Sequence, residues 1–242
     1  MVRQAASAVQ TAFADDNIHR QTIRLPLSDT MYGGKEESFV ADRAIEWQGG
    51  PQETYRFLSP MAQQLLRQVS NEDNTSGLTP KVQEQVLLDF DGSSLLNAES
   101  PMGPLFDGLA LLQPNTDQYY FDLIGQMEDQ FSDTPGKAKR LFLLINPAWR
   151  YASSWGLFQA KRAKERILDR YETTFALDQF IMKGNKMSLL KAWPFDWCVY
   201  WTPLPRPGRP PMDPKLLGTF PERPEYSEME KLLLAELRCI QY

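Results

Sequence analysis

Histidine and cysteine are scarce in this sequence, whose 242 residues include one histidine and two cysteines. A Ser-His-Asp or Cys-His catalytic arrangement would have to use His19, which lies between an acidic turn and a predicted strand. Cys198 and Cys239 are far apart and form no C-x-x-C pair. The sequence therefore predicts neither a zinc site nor a disulfide framework, and a reducing compartment is the simpler interpretation.

Long apolar runs and an excess of positive charge are also missing. No run approaches the roughly 20 apolar residues that span a bilayer, so we expect no transmembrane segment and at most a peripheral membrane contact. The net charge of −5 argues against nucleic-acid binding, because neutralising phosphates needs a basic surface. The opening MVRQAASAVQTAF lacks the apolar core of a secretory signal and is not Arg-rich enough for a convincing transit peptide.

Glycine-rich phosphate-binding loops are absent as well. Neither G-x-G-x-x-G nor G-x-x-x-x-G-K-[ST] occurs, and Gly33-Gly34-Lys35 is too short a match to indicate such a loop. We therefore expect no nucleotide cofactor of the standard kinds, and we assign no metal ligands.

The predicted elements of the first 146 residues alternate between helix and strand. Residues 2–13 carry one apolar stripe of a helix, and Leu141–Ile145 is a strongly apolar strand. Between them the pattern predicts a strand at residues 22–27, a helix beginning at residues 59–60, a strand at residues 86–89 and a helix from about residue 116. This order predicts an α/β fold with a Rossmann-like, mainly parallel sheet flanked by helices.

The second half of the chain has a different pattern. Residues 172–181, 186–193 and 197–201 are strand-like runs separated by short turns, which predict an antiparallel extension of the sheet. TPLPRPGRPPMDP, which follows them, is expected to be extended, and an apolar stripe then predicts a C-terminal helix. We therefore predict a single α/β domain at residues 1–202, and a proline-rich arm with a C-terminal helix at residues 203–242.

One short stretch, VLLDFDGSSL, has the spacing of a phosphate-transferring enzyme. In haloacid dehalogenase-type phosphatases an apolar strand ends in D-x-D-G-[TS], and Asp89 and Asp91 match the nucleophile and the acid/base of that pattern. The fold normally adds a Ser or Thr after a second strand, but here that strand ends in Asn146. The simpler interpretation is a central strand and a turn, in which Asp91 accepts backbone hydrogen bonds and Gly92 adopts positive φ.

Aromatic residues concentrate in the second half of the chain. Five of the six tryptophans lie between residues 149 and 201. Core packing is the simpler explanation, but an aromatic surface beside a proline-rich arm is also typical of a protein-binding site. The predicted partner-binding residues are Trp149, Trp193, Trp197, Arg206 and Arg209.

Three stretches together resemble a known family. They are the opening VRQAASAVQTAFADDNIHRQTIRLPL, the strand LLINPAW with its N-P-x-W ending, and YETTFALDQFIMKGNKMSLLKAWPFDWCVYW with its K-G turn and Trp-Pro-x-x-Trp hinge. They resemble a domain of unknown function found in cyanobacterial and chloroplast proteins. That family includes low-photosystem-II-accumulation factors and is fused to an adenylate kinase in plants.

The resemblance covers most of residues 1–202. It implies a cellular location and a process, and no particular reaction. It implies an α/β domain in the plastid stroma or the cyanobacterial cytoplasm, linked to photosystem assembly, and it supplies no catalytic residues. Our leading hypothesis is a non-catalytic protein that binds, or helps assemble, a photosynthetic membrane complex at the stromal face of the thylakoid. The alternatives are a magnesium-dependent phosphatase or phosphotransferase that uses the DFDGS turn, and a small-ligand or pigment-binding protein that uses the tryptophans.

Overall fold

The computed structural model describes residues 1–27, 50–69, 80–101, 107–132, 140–203 and 212–240. Several sequence-based predictions lie outside these residues. They concern Gly33-Gly34-Lys35 and the partner-binding residues Arg206 and Arg209.

Nine strands and five α-helices are assigned within the described residues. The strands are β1 (Arg20–Arg24), β2 (Lys81–Leu88), β3 (Ser93–Glu99), β4 (Gly108–Leu112), β5 (Leu141–Ile145), β6 (Glu172–Met182), β7 (Asn185–Ala192), β8 (Trp197–Thr202) and β9 (Lys215–Phe220). The helices are α1 (Val2–Ala14), α2 (Pro51–Val69), α3 (Gln118–Ser132), α4 (Gly156–Ala163) and α5 (Tyr226–Ile240). A 3-10 turn (Ala152–Trp155) precedes α4, and a π-helical turn (Lys164–Leu168) follows it.

All nine strands form one mixed sheet in the order β2-β3-β4-β5-β1-β6-β7-β8-β9. The α/β class is confirmed, but a mainly parallel sheet is not. Only the three central pairings, β4–β5, β5–β1 and β1–β6, are parallel, and the other five are antiparallel. The reason is local, because β2–β3, β6–β7 and β7–β8 are joined by turns too short for the crossover that parallel neighbours need.

The DFDGS stretch lies at the edge of the sheet, so its prediction as part of a central strand is wrong. β2 is the outermost strand, and residues 89–92 form a turn that returns the chain antiparallel as β3. Gly92 has φ +64°, where glycine is favoured. An added Cβ there would lie 2.5 Å from the Pro51 carbonyl oxygen. The turn therefore needs glycine both for its backbone conformation and for the close approach of α2.

The predicted start of the second helix also needs correction. α2 begins at Pro51, so Ser59 and Pro60 lie within the helix. Ser59 is buried, and its hydroxyl donates to the Glu84 carboxylate of β2 at 2.7 Å. Ser59 thus connects the helix to the sheet instead of capping the helix.

Other predicted elements are confirmed. α1, α3, β5 and α5 match the predicted apolar stripes, and β6, β7 and β8 form the predicted antiparallel extension. No sequence pattern predicted β9, which pairs with β8 and adds the C-terminal segment to the same sheet.

Helices cover both faces of the sheet. On one face α1 and α2 pack against residues that include Ile23, Leu143 and Phe175. On the other face two clusters stand side by side: α3, α4 and the π turn pack over Phe142 and Leu144, while α5 packs over the antiparallel strands. Arg24 of β1 points to this second face as well, because it pairs in register with Ala176 of the α5 cluster.

The tryptophans contribute mainly to packing. Trp149, Trp155, Trp197 and Trp201 are buried, and the Trp149 and Trp155 ring centroids lie 4.7 Å apart. Trp193 is partly buried against the α1–α2 cluster, and its indole N–H donates to Asp16 at 2.8 Å. Core packing therefore explains most of the aromatic cluster.

Trp197 and Phe195 form a matched pair for testing this packing, since Trp197 is 6% exposed and Phe195 is 70% exposed. We expect Trp197→Ala to lower the free energy of unfolding by about 3–5 kcal/mol, because it empties a large buried site. Phe195→Ala should change it by less than about 0.5 kcal/mol. Urea denaturation followed by circular dichroism measures both, and equal losses in the two variants would contradict the assigned burial.

Candidate functional site

A crevice opens at the carboxyl ends of the parallel strands. The first described helix after β1, α2, packs on one face of the sheet, whereas α4, which follows β5, packs on the opposite face. β1 and β5 are neighbours. The chain therefore leaves two adjacent strands toward opposite faces, which is the topological switch point where open α/β sheets form ligand crevices.

The crevice has a volume of about 760 Å³, within the usual range for a small-molecule site. Its floor includes the residues that follow β1, β4 and β5, among them Leu25, Gln113 and Pro147. One wall is formed by Leu177 and Asp178, because β6 continues past the last residue that pairs with β1. The amino end of α2 lines the crevice on another side, through Pro51 and Thr54.

Asn146 sets the backbone of the crevice floor. Its side-chain oxygen accepts the backbone N–H of Leu25 at 2.7 Å, and its side-chain amide donates to the Leu25 carbonyl at 2.7 Å. Its own backbone N–H donates to Ile23. Asn146 has φ +49°, which asparagine tolerates better than most residues. The asparagine of the N-P-x-W stretch thus extends the β1–β5 pairing by one residue and fixes where the two chains diverge.

Arginines and one carboxylate form the charged end of the crevice. Asp178 is 9% exposed and accepts from Arg150 Nη2 at 3.1 Å and from Arg223 Nη2 at 2.7 Å. Arg24 lies beside them, and its guanidinium donates to the Trp149 carbonyl. The tryptophan of the N-P-x-W stretch therefore has two roles, since its ring packs in the core and its carbonyl holds Arg24.

Burial has a large effect on the pKa of Arg24. Burial lowers the pKa of its guanidinium to about 10; Asp178 opposes this shift, and Arg150 and Arg223 add to it. Even with this pKa the side chain carries its positive charge at neutral pH. Three guanidiniums thus surround one carboxylate, an excess of two positive charges.

A second cavity of about 410 Å³ lies on the other side of Arg24. It occupies the space over β1 between the α3–α4 cluster and the α5 cluster, and it shares Arg24, Arg150 and Tyr151 with the crevice. The π-helical turn lines it through Lys164 and Ile167. Arg24 therefore stands where the two cavities meet.

The two aspartates of the phosphatase pattern lie in different surroundings. Asp91 lines the crevice, and its carboxylate accepts from the Ser93 backbone N–H at 3.0 Å and from the Tyr120 hydroxyl at 2.5 Å. Burial, then the hydrogen bond to Asp91, raises the pKa of Tyr120, so the hydroxyl stays protonated and can donate. Asp89 is exposed and does not line the crevice. This geometry gives Asp91 a structural role in the turn and does not favour Asp89 as a nucleophile.

Of the predicted partner-binding residues, the three that the structure describes do not come together at the crevice. Trp149 and Trp197 are buried on the far side of Arg24, where they line the second cavity. Trp193 lies elsewhere, beside α1. Whether any of them binds a partner stays a prediction.

Sequence reasoning missed Arg24, Arg150, Asp178 and Arg223. One signal for two of them was present: Arg24 ends β1 and Arg150 follows β5 closely. The carboxyl ends of neighbouring parallel strands are where ligands bind in such sheets. No pattern could have found Asp178 or Arg223, because one lies in an alternating strand and the other in a loop after an unpredicted strand.

The described residues include no group of three or more His, Cys, Asp or Glu side chains placed to hold a metal ion. Among the helices that the structure describes, none combines the length and apolarity needed to cross a bilayer. A family described as "domain of unknown function (DUF1995)" matches residues 1–231. Neither a curated protein nor a solved structure matches the chain.

Two variants separate the contribution of the Asn146 side chain to stability from that of its backbone conformation. Asn146→Ala loses two hydrogen bonds to Leu25, and alanine tolerates positive φ less well than asparagine, so we expect a loss of about 3–4 kcal/mol in the free energy of unfolding. Asn146→Gly loses the same bonds without that strain, and should retain about 1 kcal/mol more stability than the alanine variant. Urea denaturation of both variants measures the difference, and a glycine variant as stable as the wild type would refute the role of the side chain.

Proposed function

Since this chain belongs to the DUF1995 family, whose function is unknown, we propose that it is a non-catalytic protein that binds a small ligand in the crevice. The observation that carries the proposal is the position of the crevice at the switch point of the parallel strands. Its volume of about 760 Å³ suits a small molecule, and it joins apolar walls to a charged end. The ligand-binding alternative is thereby favoured, with the crevice as its site in place of the tryptophans.

A ligand-dependent gain in stability tests this function. A ligand at about 100 times its dissociation constant adds about 2.7 kcal/mol to the free energy of unfolding, and should raise Tm by about 5–10 °C for a chain of this size. The measurement is a thermal-shift screen of small metabolites that includes neutral, cationic and anionic compounds. Ala148→Trp should abolish the shift, because Ala148 is exposed on the crevice lining and an indole there fills the space.

Ala235→Trp is the matched control for this variant. Ala235 is exposed on α5 and does not line the crevice. Ala235→Trp should therefore keep the ligand-dependent rise in Tm of the wild type. If no compound shifts Tm, or if both variants respond like the wild type, binding in the crevice is ruled out.

Association with a photosynthetic membrane complex is the second function that we propose. Its support is the resemblance of the N-P-x-W and Trp-Pro-x-x-Trp stretches to cyanobacterial and chloroplast proteins, including low-photosystem-II-accumulation factors. On this proposal Leu157 and Phe158 form part of the contact surface, because they are 95% and 98% exposed at the start of α4. Lys161 and Arg162 are also exposed on this helix. On this proposal the protein works in the chloroplast stroma, at the stromal face of the thylakoid, or in the cyanobacterial cytoplasm.

Affinity purification from gently solubilised photosynthetic membranes tests this second function. We expect photosystem subunits to co-purify with the tagged wild-type protein in stoichiometric amounts. Phe158→Ser should lose them while keeping the wild-type Tm, because the ring contributes no packing. Phe90→Ser changes another exposed ring, in the turn after β2, and should retain them. A protein that elutes as a monomer without photosystem subunits excludes the role.

A further inference from the structure

The charged end of the crevice is not neutralised by the groups that surround it. Arg24, Arg150 and Asp178 line this end of the crevice. Arg223 lines the second cavity instead and pairs with the same carboxylate. Together these four groups carry three positive charges and one negative charge. The three arginines also line the second cavity, where the charges of Lys164 and Asp169 cancel each other. The local excess of two positive charges contrasts with the net charge of −5 of the whole chain. Such an excess in a concave site attracts an anion of matching charge.

The arginines are held in place but retain hydrogen-bonding capacity. A guanidinium has five N–H donors. Among the residues that the structure describes, Arg24 donates through Nη2 to the Trp149 carbonyl, and Arg150 donates through Nη2 to Asp178. The other N–H groups of these two guanidiniums make no hydrogen bond to a described side chain or carbonyl. Arg150 is half exposed toward the crevice, so binding there needs little rearrangement of the core. The carbonyl and the carboxylate orient the two guanidiniums before a ligand arrives, which lowers the entropy lost on binding.

The opposite end of the crevice is polar, and the carboxylate at that end already has hydrogen-bond partners. Asp91 lies there beside the start of β3, three strand spacings from β1, or about 14 Å. Its oxygens accept from Ser93, Asn115 and Tyr120, so its charge is partly compensated. Gln113 and Asn115 line the same end with amide groups. The crevice therefore suits an elongated ligand with an anionic group at one end and hydroxyl or amide groups at the other.

We propose that the crevice binds a small phosphorylated molecule, with its dianionic phosphate between Arg24 and Arg150. The remainder of the ligand extends over Pro147 toward Gln113 and Asn115. This inference rests on the proposed ligand-binding function and names the chemical class of the ligand. The amino end of α2 adds to the attraction, since a helix amino terminus carries partial positive charge.

Phosphate fits this site better than a carboxylate for two reasons. A phosphate monoester is close to doubly charged at neutral pH, which balances the local excess of two. Its oxygens are also arranged tetrahedrally, so guanidiniums that approach from different directions can each donate to it, and the planar guanidinium fork matches phosphate geometry. A single carboxylate group, whether of a monocarboxylate or at one end of a dicarboxylate, carries one charge and would leave one positive charge unbalanced between the two arginines.

Titration calorimetry of the full chain at low ionic strength tests the proposal, with inorganic phosphate, glycerol phosphate and succinate as probes. We expect both phosphate probes to bind at one site, and succinate at least tenfold more weakly. Arg150→Gln should weaken phosphate binding about 10–100-fold, because it removes a charge-assisted contact. Arg150→Lys should recover part of the loss, since it keeps the charge without the fork.

Lys161→Gln is the matched control, because it removes one exposed positive charge from α4, outside the crevice. It should leave the affinity for phosphate unchanged. The proposal is overturned if Lys161→Gln and Arg150→Gln lose equal affinity for phosphate. It is also overturned if succinate binds as tightly as phosphate, or if phosphate does not bind. Thermal-shift screening distinguishes failure of the phosphate inference from failure of the proposed ligand-binding function. If a neutral or cationic compound stabilises the wild type but not Ala148→Trp, ligand binding stands and the phosphate inference falls.

Discussion

The buried carboxylate of Asp178 connects three parts of the chain that are distant in sequence. It lies on the part of β6 that continues past β1, and it accepts from Arg150 after β5 and from Arg223 after β9. Burying a carboxylate is costly unless partners satisfy it. Here the two arginines supply those partners, and each would be left without this counter-charge if Asp178 were neutral. The C-terminal segment is therefore positioned partly by a side chain of the central strands, in addition to the packing of α5.

The same carboxylate makes the arginine cluster possible. Three guanidiniums at close range repel one another, and burial lowers the pKa of Arg24. One carboxylate among them reduces this repulsion without removing the net positive charge. The Arg150 pair is half exposed and therefore screened by solvent, so its contribution is mainly to orient Arg150. The Arg223 pair is more buried, and the Arg223 guanidinium also lies 5.2 Å from the Trp197 ring centroid. This cluster therefore depends on the aromatic core beneath it.

The sequence predicted those features that depend on neighbours close in the chain. The apolar stripes of α1 and α5, the buried run of β5 and the turns between β6, β7 and β8 are all local patterns, and the structure contains them. The failures involve distant partners. VLLDFDGSSL contains a turn signal that suits a hairpin as well as a strand followed by a helix, and only the pairing with residues 93–99 decides between them. Arg24 and Asp178 are separated by most of the chain, so no spacing rule could bring them together.

The DFDGS turn shows how a catalytic pattern can serve a structural purpose. Asp91 accepts the N–H of Ser93, as an aspartate before a glycine commonly does in a turn. The hydroxyl of Tyr120 then ties this turn to α3, and the side chain of Gln113 donates to the Gly92 carbonyl at 2.9 Å. These contacts hold the β2–β3 hairpin against the end of β4, where it closes one end of the crevice. The oxygens of Asp91 are occupied by these contacts, and the residue marks one end of the crevice. On the proposed function, the ligand-binding residues are the arginines at the opposite end, which the sequence pattern did not single out.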